Sequence, residues 1–181
     1  MDASMYISLG KTIRRLFLFS LPLFMLASVH QAVAAERKLS FAVSGVVASV
    51  NVKAGQKVKV GTILAVLDQT TFIARKRSAD AAAKSTKLIL ELADVKAVQV
   101  RELFDALSTS QEEVDNAETA LANAQSAYEK AKSRAEIAGW RLQRSTLRAP
   151  FSGSVSSTPG YPGMVVNTYA GTQTVIVINA K

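Results

Sequence analysis

The sequence predicts an α+β protein in which a small β sandwich, made of two half-motifs, is interrupted by a long antiparallel helical hairpin. Two stretches rich in valine and glycine, residues 36–71 and 146–181, predict the β structure. Residues 72–145 contain one glycine and no proline, and their apolar residues recur at steps of three and four, which is typical of paired helices. Each half-motif is too short to close a core alone, so we expect the two halves to interlock.

The N-terminal residues 1–35 have the layout of a secretory signal peptide. Lys11, Arg14 and Arg15 precede the apolar run LFLFSLPLFMLASV, and small residues at 32–35 supply a cleavage site. The alternative is an uncleaved membrane anchor, but the run is shorter than the ~20 apolar residues that a spanning helix needs. We therefore expect an exported protein that is cleaved near residue 34 or 35.

The composition excludes most catalytic and metal-binding chemistry. The chain has no cysteine, and its one histidine, His30, lies in the predicted signal peptide. The mature chain therefore has no Ser-His-Asp or Cys-His nucleophile and no zinc site of the usual kind. The formal net charge of +8 is spread among acids, and even the densest cluster, residues 75–77, has no interleaved aromatic residues. We expect no enzymatic activity, no cofactor, no metal site and no nucleic-acid partner.

The two half-motifs repeat one spacing of glycine and valine. Gly45 and Gly55 are ten residues apart, as are Gly153 and Gly163. In both copies a valine follows two residues after the first glycine and another follows three residues after the second. Glycine suits turns between short strands because it accepts positive φ and close backbone approach. The positions expected to form the turns of the half-motifs are Gly45, Gly55, Gly61, Pro150, Gly153 and Gly163.

The helical region predicts two arms of about 35 residues that pack along a heptad seam. Residues 108–110 supply a turn, with Ser110 as the N-cap of the second helix and Glu112 and Glu113 in its first turn. The seam of the second arm is expected at Val114, Ala117, Leu121, Ala124, Tyr128, Ala131, Ala135, Ala138 and Leu142. The seam of the first arm, read back from Leu107, is expected at Phe104, Val100, Ala97, Ala93, Leu90, Thr86, Ala83 and Ala79.

Two further features of the helices lie outside the seam. Leu88, Leu92 and Val95 form a second apolar stripe on the first helix. Two interpretations of this stripe are open: partial exposure to solvent, and lateral contact with a neighbouring copy of the protein. Trp140 lies near the base of the hairpin. We expect Trp140 to pack against the sandwich as part of the core rather than to bind a ligand.

The order of these parts resembles the periplasmic adaptors of bacterial tripartite efflux pumps, also called membrane fusion proteins or haemolysin-D-type secretion proteins. The matching residues are LSFAVSGVVASVNVKAGQKVKVGTILAVLD (39–68) and STLRAPFSGSV (145–155). The resemblance implies that the half-motifs form a lipoyl-like barrel-sandwich hybrid, and it favours the RND type of pump. It also implies that Pro150 lies where the chain leaves the second helix and re-enters the sheet, because proline cannot continue a helix.

The resemblance implies a function as a structural adaptor. Such a protein links an inner-membrane transporter to an outer-membrane channel, and we expect a homo-oligomer in the periplasm, associated with the inner-membrane complex. In pump adaptors the hairpin tip carries an arginine, a leucine and a serine that dock on the channel. Arg101, Ser110 and either Leu103 or Leu107 match these roles, although the interval from Arg101 to Ser110 is shorter than in the family.

The resemblance also predicts what lies beyond the second half-motif. Family members continue into a β-barrel domain and a membrane-proximal domain that contact the transporter, and these have no counterpart after Ile178. We therefore expect a channel-facing adaptor that cannot support efflux by itself, with either a truncated gene or a second polypeptide to supply the rest.

Two other functions compete with the adaptor. A biotin or lipoate carrier domain would need a lysine at the hairpin between the halves, where residues 68–70 (DQT) instead lead into a helix. A periplasmic coiled-coil chaperone or envelope spacer would share the helical hairpin. Its distinguishing property would be binding to unfolded outer-membrane proteins.

Overall fold

The computed structural model describes residues 36–180, which form a β sandwich and a two-helix hairpin. The predicted signal peptide lies outside the described residues. The helices are α1 (Thr70–Asp105) and α2 (Gln111–Arg144). The strands in chain order are β1 (Glu36–Leu39), β2 (Gly45–Val50), β3 (Lys57–Val58), β4 (Ile63–Leu67), β5 (Thr146–Arg148), β6 (Gly153–Ser157), β7 (Val165–Val166) and β8 (Ile176–Ala180).

The strands form two four-stranded antiparallel sheets, one ordered β1-β8-β6-β3 and the other β5-β4-β2-β7. Each sheet takes two strands from the chain before the hairpin and two from the chain after it. Neither half-motif therefore forms a four-stranded sheet by itself. The predicted fold class, an α+β barrel-sandwich hybrid interrupted by a helical hairpin, is confirmed.

The repeated spacing of glycine and valine corresponds to a repeated strand pairing. Gly45 at the start of β2 pairs with Val166 of β7, and Gly153 at the start of β6 pairs with Val58 of β3. These two glycines begin strands rather than turns, which corrects the prediction for both. A Cβ atom at Gly153 would collide with the carbonyl oxygen of Asn179 on β8, so close approach of two strands explains this glycine.

The second glycine of each pair does lie in a turn. Gly55 and Gly163 have φ of 81° and 91°, in the left-handed region that glycine adopts without steric cost. The Gly55 amide donates to the carbonyl of Val155, and the Gly163 amide donates to the carbonyl of Val47, both at 2.8 Å. Gly61 follows β3 in the turn before β4. The turns at Gly55 and Gly163 therefore attach each half-motif to the other by equivalent hydrogen bonds.

The inner faces of the two sheets enclose one apolar core. Burial of each such side chain stabilises the fold by about 1.5–3 kcal/mol. The large side chains that are almost completely buried are Leu64, Leu67, Ile176, Ile178, Val47, Val155 and Val175.

The hairpin pairs a helix of 36 residues with one of 34 residues. Every predicted seam position within the two helices is buried or half-buried. Buried alanines, such as Ala97 and Ala117, leave little side chain between the helices, which can therefore approach closely. Within residues 36–180, no helix is both long enough and apolar enough to cross a membrane.

The structure differs from the sequence prediction at both ends of the hairpin. Helix α1 begins at Thr70, slightly before the predicted residue 72, and α2 ends at Arg144. Strand β5 therefore separates α2 from Pro150, which lies in the link between β5 and β6 rather than at the end of the helix. Leu107, from which the first seam was read, lies beyond the end of α1.

The prediction that Trp140 belongs to the sandwich core is wrong. Its side chain is 46% exposed, and the guanidinium carbon of Arg144 lies 5.9 Å from the ring centroid. The neighbouring seam residues Ala138 and Leu142 are directed towards α1, so the intervening position 140 lies on a different side of the helix.

Candidate functional site

The tip of the hairpin is closed by two backbone hydrogen bonds that define a Schellman motif. The amide of Ser108 donates to the carbonyl of Leu103, and the amide of Leu107 donates to the carbonyl of Phe104, both at 2.8 Å. These bonds satisfy carbonyl groups at the end of α1 that have no partner within the helix. They also fix the backbone of the turn that presents residue 107.

Leu107 occupies the position of this motif that glycine usually fills. Its φ is 57°, and it is the single non-glycine residue with positive φ among those described. A side chain in this conformation costs about 1–2 kcal/mol because its Cβ crowds the following carbonyl oxygen. The side chain nevertheless stays 94% exposed, so the tip presents a large apolar group that contributes little to the fold. Strain and exposure at one residue make the tip a candidate binding surface.

The start of α2 is stabilised by Ser110. Its side chain accepts a hydrogen bond from the amide of Glu113 at 3.3 Å, and its own backbone is extended, as at an N-cap. Glu112 and Glu113 lie in the first turn of the helix, where negative charge is favourable. Ser110 therefore has a structural role whether or not it contacts a partner.

Arg101 is held in an ion pair between the two helices. Its Nη2 atom donates to Oε1 of Glu118 at 2.6 Å, and both side chains are half-exposed. The hydrogen bond to Glu118, and after it the Glu118 charge, raises the pKa of Arg101 above its ordinary value. The sequence prediction missed Glu118. Alignment of the two predicted arms in antiparallel order could have revealed it, because it places an acid opposite Arg101.

The four residues predicted to dock thus differ in their surroundings. Leu103, on the last turn of α1, and Leu107, in the loop, are exposed apolar side chains. Arg101 is paired with Glu118, and Ser110 caps α2. The tip can therefore offer an apolar contact flanked by one bound guanidinium group. Among residues 36–180, no three His, Cys, Asp or Glu side chains gather to hold a metal ion.

The second stripe of α1 is exposed. Leu88 and Val95 are each slightly more than half exposed, and Leu92 is 71% exposed. Helical spacing places these three residues on the side of α1 opposite the seam, so α2 does not cover them. The hairpin therefore presents a short apolar stripe midway along α1 in addition to the tip.

The family comparison agrees with this architecture. The model described as the barrel-sandwich hybrid domain of RND MFP proteins matches residues 38–179. The chain therefore belongs to the RND-type membrane fusion proteins.

Solved structures share both the sandwich and the hairpin. A chimera of MacA and MexA, with the Pseudomonas aeruginosa MexA hairpin, is 29% identical with a TM-score of 0.59, covering 81% of this chain and 46% of that chain. MacA from Actinobacillus actinomycetemcomitans is 27% identical with a TM-score of 0.52, and the match covers 79% of this chain and 48% of that chain. A putative efflux transporter from Bacteroides eggerthii is 24% identical with a TM-score of 0.57, and the match covers 81% of this chain and 40% of that chain. At this identity the match supports the fold alone. The chain spans less than half the length of each.

Proposed function

We propose that the chain is a periplasmic adaptor subunit of a tripartite efflux system, in which it links an inner-membrane transporter to an outer-membrane channel. Membership of the RND-type membrane fusion proteins supports an adaptor rather than an enzyme. The similarity to MacA and to a chimera carrying the MexA hairpin supports the same class. Export by the N-terminal segment would bring the chain to the periplasm.

The channel contact is proposed at the hairpin tip. The observation that supports it most is Leu107, an apolar side chain that is strained, exposed and held rigidly by the Schellman hydrogen bonds. A rigid, preorganised apolar group loses little conformational freedom on binding, so it is a good anchor for an interface. Leu103 enlarges the apolar contact, and Arg101 supplies a positive charge beside it.

A homo-oligomer is proposed to form through the sides of the hairpins. The stripe of Leu88, Leu92 and Val95 is an apolar surface that the chain itself leaves uncovered. Burial of such a stripe against the hairpin of a second copy would remove it from water, which favours association. The same assembly would present several hairpin tips to one channel.

Single cysteines at the tip test the orientation, because the chain has no cysteine of its own. Asp105→Cys and Ser108→Cys, treated with a bifunctional thiol–amine reagent in cells, are expected to crosslink to an outer-membrane channel. Ser133→Cys, nearer the base of α2, is the matched control and is expected not to reach the channel. Crosslinks from the tip to an inner-membrane transporter would invert the orientation. Crosslinks to unfolded outer-membrane proteins alone would indicate a chaperone instead.

A further inference from the structure

One side of the hairpin base contains a cleft that the adaptor function does not use. This basal cleft, of about 360 Å³, lies between the first turns of α1 and the last turns of α2. Its lining includes Phe72 and Arg75 of α1 together with Arg134, Ile137 and Arg141 of α2. Its volume is within the range of small-molecule sites, which is about 300–1,000 Å³.

The basal cleft carries positive charge without a counter-charge. Arg134 and Arg141 are seven residues apart, so they lie on the same side of α2 about 10 Å from each other along the helix. Arg75 faces them from α1. The lining contains no acidic residue, and within residues 36–180 no carboxylate oxygen lies within 4.0 Å of these three guanidinium groups. Guanidinium groups match carboxylate, sulfate and phosphate oxygens in geometry as well as charge.

The surface between the arginines is apolar. Phe72 is buried at the floor, and Ile137 is half-exposed between Arg134 and Arg141. A second hollow of about 310 Å³ shares Phe72, Arg75 and Arg141 with the basal cleft. Its lining is more polar, and it includes the aromatic rings of Trp140 and Tyr169. A ligand that fills both parts needs an apolar body as well as an anionic group.

The opposite side of the hairpin base offers a second copy few carboxylates with which to fill the basal cleft. The opposite side of the hairpin base presents Asp80, but its carboxylate is already bound by Lys76 of the same helix. Glu136 is the other acid on that side, and its single carboxylate could neutralise only one of the three arginines. A second copy that packs through this side would therefore leave the basal cleft without a full counter-charge.

We propose that the basal cleft binds a small amphipathic organic anion, in which one carboxylate, sulfate or sulfonate group is joined to an acyl or aromatic body. The anionic group lies among Arg75, Arg134 and Arg141, and the apolar body covers Ile137 and extends towards Trp140. The site is at the opposite end of the hairpin from the docking tip. Ligand binding here is therefore independent of the proposed contact with the channel.

The chain's one tryptophan lines the second hollow, which adjoins the basal cleft, and serves as the reporter. The probe is 8-anilinonaphthalene-1-sulfonate, which combines a sulfonate with an aromatic body and accepts excitation energy from tryptophan. Titration of the exported chain with this probe is expected to give saturable energy transfer from Trp140. Decanoate, below its micelle concentration, is expected to displace the probe, whereas the neutral decanol displaces it far less. Raised ionic strength is expected to weaken binding.

Charge variants decide whether the arginines form the site. Arg134→Gln with Arg141→Gln is expected to weaken binding by about ten-fold or more, because charge-assisted hydrogen bonds are lost. Arg134→Lys with Arg141→Lys is expected to retain part of the affinity. The matched control, Arg77→Gln with Lys84→Gln, removes the same charge from exposed positions of α1 outside the cleft and is expected to leave binding unchanged. Circular dichroism establishes that each variant is folded.

Three outcomes would overturn the proposal. Equal displacement of the probe by decanol and decanoate would show that the arginines do not recognise an anion. Equal weakening in the control variant would show a general charge effect. A lower sedimentation coefficient in the Arg134→Gln, Arg141→Gln variant, with probe binding unchanged, would show that a second copy covers the cleft instead.

Discussion

The Nε2 atom of Gln69 donates a hydrogen bond to Oγ of Ser145 at 2.9 Å, and this bond joins the residue before α1 to the residue after α2. Ser145 is completely buried, and its hydroxyl donates in turn to the carbonyl of Leu142 at 2.6 Å. The amide of Leu67 on β4 donates to the Ser145 carbonyl at 2.8 Å. One buried residue therefore connects both helices of the hairpin to the sandwich.

Ser145→Ala is expected to destabilise the protein by about 1–2 kcal/mol, because Gln69 loses an acceptor in a buried site. The loss is limited because Gln69 also donates to Oγ1 of Thr146 at 2.9 Å. Urea denaturation followed by circular dichroism measures the change. Ser133→Ala, at an exposed position of α2, is the control and is expected not to destabilise. Equal stability of Ser145→Ala and the wild type would show that the buried hydroxyl contributes nothing to the junction.

Leu107→Gly is expected to have opposite effects on stability and on docking. Glycine relieves the left-handed strain, so the free energy of unfolding should rise by about 1 kcal/mol. The apolar side chain is lost, so crosslinking of the tip to the channel should fall. Leu107→Ala separates the two effects, since it retains the strain and removes most of the side chain. A stabilised Leu107→Gly variant that crosslinks as well as wild type would exclude Leu107 from the interface.

Leu121→Asp is expected to cost several kcal/mol, because the aspartate would lie in the apolar seam beside Val114 and Ala117. Ala122→Asp is the control, since a carboxylate at this exposed position of α2 stays in water. Thermal unfolding and helix content by circular dichroism should separate the two variants clearly. A Leu121→Asp variant that melted with the control would contradict the position of the seam.

The sequence was sufficient to predict the architecture because its information is periodic. The spacing from Gly45 to Gly55 is repeated from Gly153 to Gly163, and the structure converts the repeat into two equivalent sets of strand pairings. The steps of three and four in the helical region depend only on the geometry of the helix. Periodic patterns of this kind can be recognised without knowledge of the tertiary contacts.

The features that the sequence did not reveal depend on single positions. Nothing in the identity of Leu107 indicates a positive φ, because the usual signal for that conformation is glycine or asparagine. Trp140 is large and apolar, which favours burial, but its angular position on α2 keeps it out of both the seam and the core. The basal cleft combines Arg75 with Arg134 and Arg141, which are far apart in sequence and meet through the antiparallel hairpin.

Asp68 makes the stability of the α1 N-terminus dependent on pH. Its Oδ1 atom accepts a hydrogen bond from the amide of Thr70 at 3.0 Å. This bond, and a further one with the Thr70 side chain, lowers the pKa of Asp68 below its ordinary value of 3.8. The stabilisation is therefore complete above the unfolded-state pKa and is lost as pH falls through the lower folded-state pKa. Chemical denaturation from pH 6 to pH 2 should show this loss in the wild type, and Asp68→Asn should remove that part of the pH dependence.

The ion pair between Arg101 and Glu118 allows a structural role to be separated from a docking role. Both side chains are half-exposed, so the pair should contribute only a small amount to stability. Arg101→Gln is expected to lower the stability by no more than this amount, and to reduce crosslinking of the tip to the channel more strongly. The exchange variant, Arg101→Glu with Glu118→Arg, keeps an ion pair but moves the guanidinium group to α2. If Arg101 contacts the channel, the exchange variant should regain stability without regaining the crosslink, because the positive charge is then on the wrong helix. Recovery of both stability and crosslinking would mean that the ion pair only holds the two helices together, and that the apolar residues alone form the docking surface.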